Sequence, residues 1–312
     1  MDSKFGMEVW RGGVNTWECD EMGHMNVRFY VARAMEGLVG LAGALGLEGA
    51  FRPNAEATLL IREQHIRFPR EARAGAPLRM TAGVVELGQT EARLLQLLVH
   101  SQTGEIAASF QSVVAHVTAH EGRPFAWSDR TRALAHGLRV SVPEKAAPRG
   151  VASAPANSAA SLAEANRMGL ISLSTGAFGA QDCDAFGRMR PEMFIGRISD
   201  GVPGLAGLIR GEDPAGASER PAKLGGAVLE YRLIHLAWPR AGDRFEIRSG
   251  LVAIDERFQR LVHWMLDPAT GRAWGTAEAV AASFDLDTRK LVPMSAAAVA
   301  AARARITPGL AL

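Results

Sequence analysis

Two aspartates carry the clearest chemical signal in this chain. Asp20 and Asp184 each follow a cysteine, Cys19 or Cys183, and each opens a turn closed by a glycine, Gly23 or Gly187. After Asp20 come His24 and Asn26. A stretch from about Val27 to Leu47 follows, with Val31, Ala34, Leu38, Leu41 and Leu45 at helical spacing. A carboxylate just ahead of a helix lies beside backbone N–H groups that lack intrahelical partners, and the helix dipole there favours developing negative charge. A carbonyl placed at that point would be polarised by a first-turn N–H, and Asp20 would attack it or activate a water. The same position also suits a helix cap.

The surroundings of the two aspartates repeat. Residues 17–25, Trp-Glu-Cys-Asp-Glu-Met-Gly-His-Met, parallel residues 181–189, Gln-Asp-Cys-Asp-Ala-Phe-Gly-Arg-Met. Arg33, Gly37, Gly40, Leu41, Ala42 and Gly43 recur as Arg197, Gly201, Gly204, Leu205, Ala206 and Gly207. Farther on, Phe68-Pro69-Arg70 matches Trp238-Pro239-Arg240, His65 matches His235, and Thr103-Gly104 matches Thr270-Gly271. An ordered series of this kind marks a duplicated unit, with a period too long for a solenoid array. The expected organisation is residues 1–121, a short helix and Ala/Pro/Ser-rich linker over 122–170, and residues 171–312.

Each copy reads as a short strand ending near the cysteine, the turn, one long helix, and β-like segments at Thr58–Phe68, Leu78–Leu87, Ala92–His100 and Ile106–Val117. That order predicts an α+β unit in which a buried helix meets a four-stranded antiparallel meander. The glycines inside the helix lower its propensity and imply that another surface approaches closely. Ser128-Asp129-Arg130 is the cap of a short helix, and Pro143 to Ser161 reads as linker.

Composition narrows the classes. The 312 residues carry a formal net charge of +2, which advertises no basic field for nucleic acid. No apolar run approaches the roughly 20 residues of a membrane span, and the first residues lack the character of a signal peptide, so a cytoplasmic protein is expected. Two cysteines make no disulfide framework and read as small residues buried at a strand end. His116 and His120 have the spacing of a helical metal pair but flank a strand end, which makes them incidental surface histidines. No metal and no cofactor is expected.

The run Cys19-Asp20-x-x-Gly23-His24-Met25-Asn26-x-x-x-Tyr30 resembles the signature of hotdog-fold acyl-CoA thioesterases, of the type that hydrolyses 4-hydroxybenzoyl-CoA. That resemblance covers nearly all of both copies and implies two tandem hotdog domains, each a long helix wrapped by an antiparallel sheet, paired as an intrachain pseudo-dimer. It implies hydrolysis of an acyl thioester of coenzyme A or of an acyl carrier protein to free acid and thiol. Asp20 is then nucleophile or general base, and the Val27 N–H, seven residues on, binds the carbonyl. His24 and Asn26 orient water or thioester, or stabilise the turn. Gly23, Val27 and Tyr30 complete the substrate contacts, with Tyr30 also packing at the start of the buried helix.

The second copy departs from the signature: Arg188 replaces His24, Arg190 replaces Asn26 and Pro191 replaces Val27. Proline suits a helix start but has no N–H to give an oxyanion. The Asp184 turn is therefore expected to be degenerate, with Asp184, Arg188 and Arg190 contacting part of the substrate. Two other functions compete with thioester hydrolysis. An enoyl-CoA hydratase of the same fold calls for a histidine five residues after the aspartate with a proline between, which this chain lacks. A non-catalytic acyl-CoA-binding protein is the other. Homodimers or higher assemblies of the double unit are compatible with either.

Overall fold

The computed structural model describes residues 5–153, 155, 159–205 and 224–312, and the recurrence of Ala42 and Gly43 as Ala206 and Gly207 lies outside them. The chain divides into two compact units, residues 1–147 with 182–193, and residues 148–181 with 194–312. The second copy's turn thus belongs to the first unit.

In the first unit, strand β1 (Met7–Gly13) ends well before Cys19 and not near it as expected, because a 3₁₀ turn at Thr16–Glu18 leads into the cysteine; helix α1 spans Val27–Ala44. Strands β2 (Ala57–Arg67), β3 (Pro77–Leu87), β4 (Glu91–His100) and β5 (Ile106–Thr118) follow, each within two residues of its expected ends. The sheet is antiparallel, but it is not the expected meander. Its order is β1-β3-β4-β5-β2, so β2 and β3 are not neighbours. The reason lies in the connection after β2, which is committed elsewhere: Ala72 accepts from the Met25 N–H and donates to the Tyr30 hydroxyl, at the mouth of α1. A segment pinned there cannot close a hairpin, and β3 pairs instead with β1 and β4.

Helix α1 lies on one face of this sheet, over β1, β3 and β4. Tyr30, Val31, Ala34, Leu38, Leu41 and Ala42 are buried along that stripe. The close approach expected from the helix glycines is present. A Cβ on Gly37 would lie 2.5 Å from the Met80 sulfur, and one on Gly40 would lie 2.8 Å from the Val9 carbonyl oxygen. Gly43 meets nothing within 4 Å and needs no such explanation.

The opposite face of the sheet is covered by the segment that leaves it. Helix α2 (Asp129–Gly137), capped by Ser128, is followed by a strap in which Arg139 bridges Val84 in parallel. Gly83 lets the strap lie this close, since a Cβ there would stand 2.5 Å from Val140. Val140, Val142 and Ala146 then pack on Leu95, Leu97 and Val99. Gln111 and Arg67 donate to the carbonyls of Ala146 and Lys145. The stretch that reads as connection therefore supplies one of the unit's apolar layers.

The second unit repeats the plan. After α3 (Leu162–Arg167) come β6 (Ile171–Ala177), α4 (Pro191–Gly201), β7 (Leu224–His235), β8 (Arg244–Ile254), β9 (Gln259–Leu266), β10 (Ala273–Asp285) and α5 (Ala296–Arg303). The strands order as β7-β10-β9-β8-β6. Here too a capped helix leads into a strap: Ser295 caps α5, Ile306 bridges Leu251 in parallel, and Leu310 reaches the spot where Gly250 has no side chain. Ser128 and Ser295, Arg139 and Ile306, and Gly83 and Gly250 are all separated by 167 residues. The duplication thus continues through the terminal straps.

The same spacing corrects the expected match between His65 and His235. Strand register sets His235 at the place of Phe68: Phe68 meets the Tyr30 ring edge-on at 5.2 Å, and His235 meets Phe194 in the same way at 5.6 Å. The likeness of Phe68-Pro69-Arg70 to residues 238–240 is three residues out of structural register. His116 is likewise no surface residue. It is buried, stacked on Trp127 at 4.6 Å and packed on Phe125, whereas His120 is exposed.

One buried polar pair in the second unit makes a pH prediction. His263 is buried beside Ser249, whose hydroxyl lies 2.8 Å from Nδ1, and burial pushes its imidazole down to about 3. The unfolded chain takes up that proton near pH 6.5, so stability from this group is complete above 6.5 and falls as pH drops from there towards 3. The loss approaches about 1.4 kcal/mol per pH unit. Gln96 holds the same register position in the first unit and donates to the Ala34 carbonyl of α1. His263→Gln should therefore flatten denaturant midpoints measured between pH 6.5 and 4; an unchanged slope would remove His263 as their cause.

Candidate active site

The turn after Cys19 is closed by Asp20 itself. Its Oδ1 accepts from the N–H groups of Met22, at 2.9 Å, and His24, at 3.1 Å. Its backbone N–H donates to the His24 carbonyl at 2.7 Å, and Gly23, at φ 75°, donates back to the Asp20 carbonyl. Only a residue free to take the left-handed region fits there. With Oδ1 committed to the turn, no described residue donates to Oδ2. The carboxylate is half-buried.

Asn26 then caps α1, its Oδ1 accepting from the Arg28 N–H at 3.0 Å. The expected role in orienting water or thioester thus competes with a structural one that the geometry displays. Val27 is the first residue of α1, and its N–H makes no hydrogen bond to a described residue. His24 is buried, with Nε2 3.1 Å from Glu71 Oε2. That carboxylate, absent from the sequence reading, lies on the segment pinned by Tyr30. Tyr30 is buried against Phe68, and its hydroxyl accepts from the Ala72 N–H at 2.9 Å. Burial pushes the phenol up, so it stays neutral. Its place in the fold is packing and tethering.

A second missed residue supports the turn from the other side. Glu18 is only 2% exposed, accepts from the Asn15 N–H at 2.7 Å and pairs with Arg33, which also reaches Glu36 at 2.6 Å. The Glu18 carbonyl takes the Asn26 N–H at 2.8 Å. The recurrence of Arg33 as Arg197, together with an acid at 18 and at 182, was the available signal. Cys19 is half-buried, its thiol directed at the Asn15 carbonyl at 3.6 Å, and Cys183 is also half-buried.

The second turn repeats the first in its backbone. Asp184 Oδ1 accepts from Phe186 at 2.8 Å and Arg188 at 2.9 Å, and Gly187 has φ 76°. Its Oδ2 differs, for the Arg188 Nε lies 3.3 Å from it. Arg188 is buried and its guanidinium lies over the Phe186 ring at 4.8 Å. Helix α4 begins at Pro191 as α1 begins at Val27, so the two helix starts are in register and the second lacks that N–H. Arg190 stands at the cap position with Nε 3.3 Å from Glu192, a buried acid whose carboxyl burial pushes up. Among the described residues no group of His, Cys, Asp and Glu could hold a metal ion, and no helix is long and apolar enough to cross a membrane.

The profile of the Thioesterase-like superfamily matches residues 14–135 and again 178–302, and the chain belongs to that superfamily. Solved structures agree on the tandem hotdog fold. An acyl-ACP thioesterase from Bacteroides thetaiotaomicron superimposes with a TM-score of 0.63 at 11% identity, covering 87% of this chain and 96% of its own. The 12:0-ACP thioesterase from Umbellularia californica superimposes with a TM-score of 0.62 at 12% identity, covering 87% of this chain and 92% of its own. No curated protein sequence matches the chain.

The tethering role assigned to Tyr30 can be measured. Tyr30→Phe leaves the buried Ala72 N–H without its acceptor and should lower unfolding free energy by about 1–3 kcal/mol. Activity per folded molecule should stay within a few-fold. Loss of activity without loss of stability would place the hydroxyl on the substrate instead.

Proposed function

We propose that this chain hydrolyses acyl thioesters of coenzyme A or of an acyl carrier protein at the Asp20 turn. The observation that carries the reading is the division of labour within one carboxylate: Oδ1 holds the turn, and no described residue donates to Oδ2. Membership of the superfamily supports thioester chemistry in general.

Asp20 Oδ2 acts in one of two ways, and both end in the same products. As nucleophile it adds to the thioester carbon, the C–S bond breaks, and the thiolate leaves and takes a proton from solvent; water then cleaves the resulting anhydride. As general base it takes a proton from water, whose oxygen adds to the same carbon before the thiolate departs. In either case negative charge builds on the carbonyl oxygen, where the Val27 N–H and the dipole of α1 stabilise it. His24, beside Glu71, and Asn26, held at the cap, keep the turn in shape around the reacting group.

In this reading the Asp184 turn is a binding element. Its carboxylate is engaged by Arg188, and Pro191 offers no donor to an oxyanion. Asp184, Arg188 and Arg190 then contact the substrate away from the reacting bond. The protein works without metal or cofactor and in the cytoplasm. Its two repeated domains are residues 1–121 and 171–312, and part of the intervening 122–170 supplies the strap that covers the first.

Release of free thiol across a panel of acyl-CoA and acyl carrier protein thioesters tests this directly. Asp20→Asn keeps the hydrogen bonds of Oδ1 and removes the anionic oxygen. It should lower kcat/KM by about 10²–10⁴ while leaving the unfolding midpoint nearly unchanged. No thiol release from any thioester by the wild-type chain would remove the proposal, and so would full activity in Asp20→Asn.

A further inference from the structure

Gln64 is a buried amide that the fold does not satisfy. It lies on β2, fully enclosed, and donates from Nε2 to the Ser112 hydroxyl on β5 at 3.2 Å. Its Oε1 has no hydrogen-bond partner among the described residues. Turning the amide over would move the orphan to the nitrogen without removing it. A buried amide oxygen left unpaired is costly to the fold, so a reason for it is called for.

Its position supplies one. Gln64 pairs in register with Ser112, and Ile66 with Phe110, so all four share one face of the sheet. Gln96, opposite Phe110, shares that face and bonds to a carbonyl of α1, which identifies it as the helix side. The main contacts of α1 are with β1, β3 and β4, and Gln64, Ile66, Phe110 and Ser112 on β2 and β5 are buried on that same face. Phe68, two residues beyond Ile66 and four beyond Gln64, touches Tyr30 in the first turn of α1. Gln64 therefore lies four residues, about 13 Å, along the same strand face from the mouth of the helix.

The duplication provides an internal comparison. At the same registers the second copy carries Tyr231 and Ala279, so a Gln–Ser pair is not a requirement of this fold. The pair occurs in the copy whose turn leaves its aspartate Oδ2 open.

We propose that Gln64, with Ser112 orienting it, is a specificity-determining residue that accepts a hydrogen bond from a hydroxyl on the distal part of the acyl group. The preferred substrate is then a thioester whose acyl chain is hydroxylated well away from the carbonyl. This rests on the thioesterase reading. A group starting at α1 and following β2 passes Ile66 first, an apolar contact, and meets the amide oxygen next. A chain without the hydroxyl leaves that oxygen unpaired, and the mismatch is what discriminates.

The test compares kcat/KM for CoA thioesters of one chain length in three forms: unsubstituted, 3-hydroxy and distally hydroxylated. The wild-type chain should favour the distal hydroxyl by about fivefold or more over both others. Gln64→Leu should abolish that preference, chiefly through KM, while cleaving the unsubstituted thioester at least as well as wild type. Its unfolding midpoint should not fall, because an apolar side chain of similar size leaves no orphan. Ser112→Ala should weaken the preference in part. Equal wild-type rates on all three forms would overturn the inference, as would an intact preference in Gln64→Leu. Either result with thiol still released leaves the thioesterase reading standing, whereas no thiol from any form removes that reading itself. Should Gln64→Leu fail to fold, the wild-type ratio and Ser112→Ala decide.

Discussion

A loop that reverses direction within six residues leaves buried N–H groups in need of acceptors. Between Cys19 and Val27 a single carboxylate oxygen takes two of them, those of Met22 and His24. That arrangement sets what surrounds it. Oδ1 is used by the turn while Oδ2 takes no donor from a described residue, and Gly23 is required because the tight return needs a left-handed backbone. The strand bridge from Cys19 to Met25 then delivers Asn26 to the cap of α1. Two outer supports hold the loop: Glu18 with Arg33 on one side, and the Ala72 segment bound to Met25 and Tyr30 on the other. The latter also dictates the sheet order, since it denies β2 and β3 a hairpin.

The duplicated copy shows which parts of this arrangement the two turns share and which they do not. The glycine, the two bonds to Oδ1 and the start of the helix are common to both turns, so they are structural. What differs is the residue four places on. A histidine there turns towards Glu71 and leaves Oδ2 open, whereas an arginine folds back to within 3.3 Å of it. A carboxylate oxygen engaged by a buried guanidinium is sterically less open to a carbonyl or a water. The loss of the helix-start N–H at Pro191 points the same way.

Much of this was legible from residues alone. The turn, the helix start at Val27 and the limits of β2 to β5 follow from local pattern and apolar periodicity, both of which act over short distances, and the tandem hotdog plan from the resemblance the signature carries. The registers of long-range pairing were less accessible. Phe68-Pro69-Arg70 and Trp238-Pro239-Arg240 look alike yet lie three residues out of step, because strand pairing and the Tyr30 or Phe194 contact, not local likeness, decide equivalence. The straps were hidden for a similar reason. Residues 138–147 are too short of periodicity to read as structure, but Gly83 and the apolar row on β4 give them a surface to cover. Glu71 and Gln64 carry no motif at all, and their roles arise only from the neighbours that folding brings.

The central claim is that one turn of the pair does the chemistry and the other does not. The most direct measurement is steady-state thiol release by Asp184→Asn, set beside the wild-type chain under the same conditions and normalised to folded protein. Because Arg188 already engages that carboxylate, its kcat should stay within about threefold of wild type, any loss falling on KM. A fall in kcat as large as that caused by the same change at Asp20 would contradict the account.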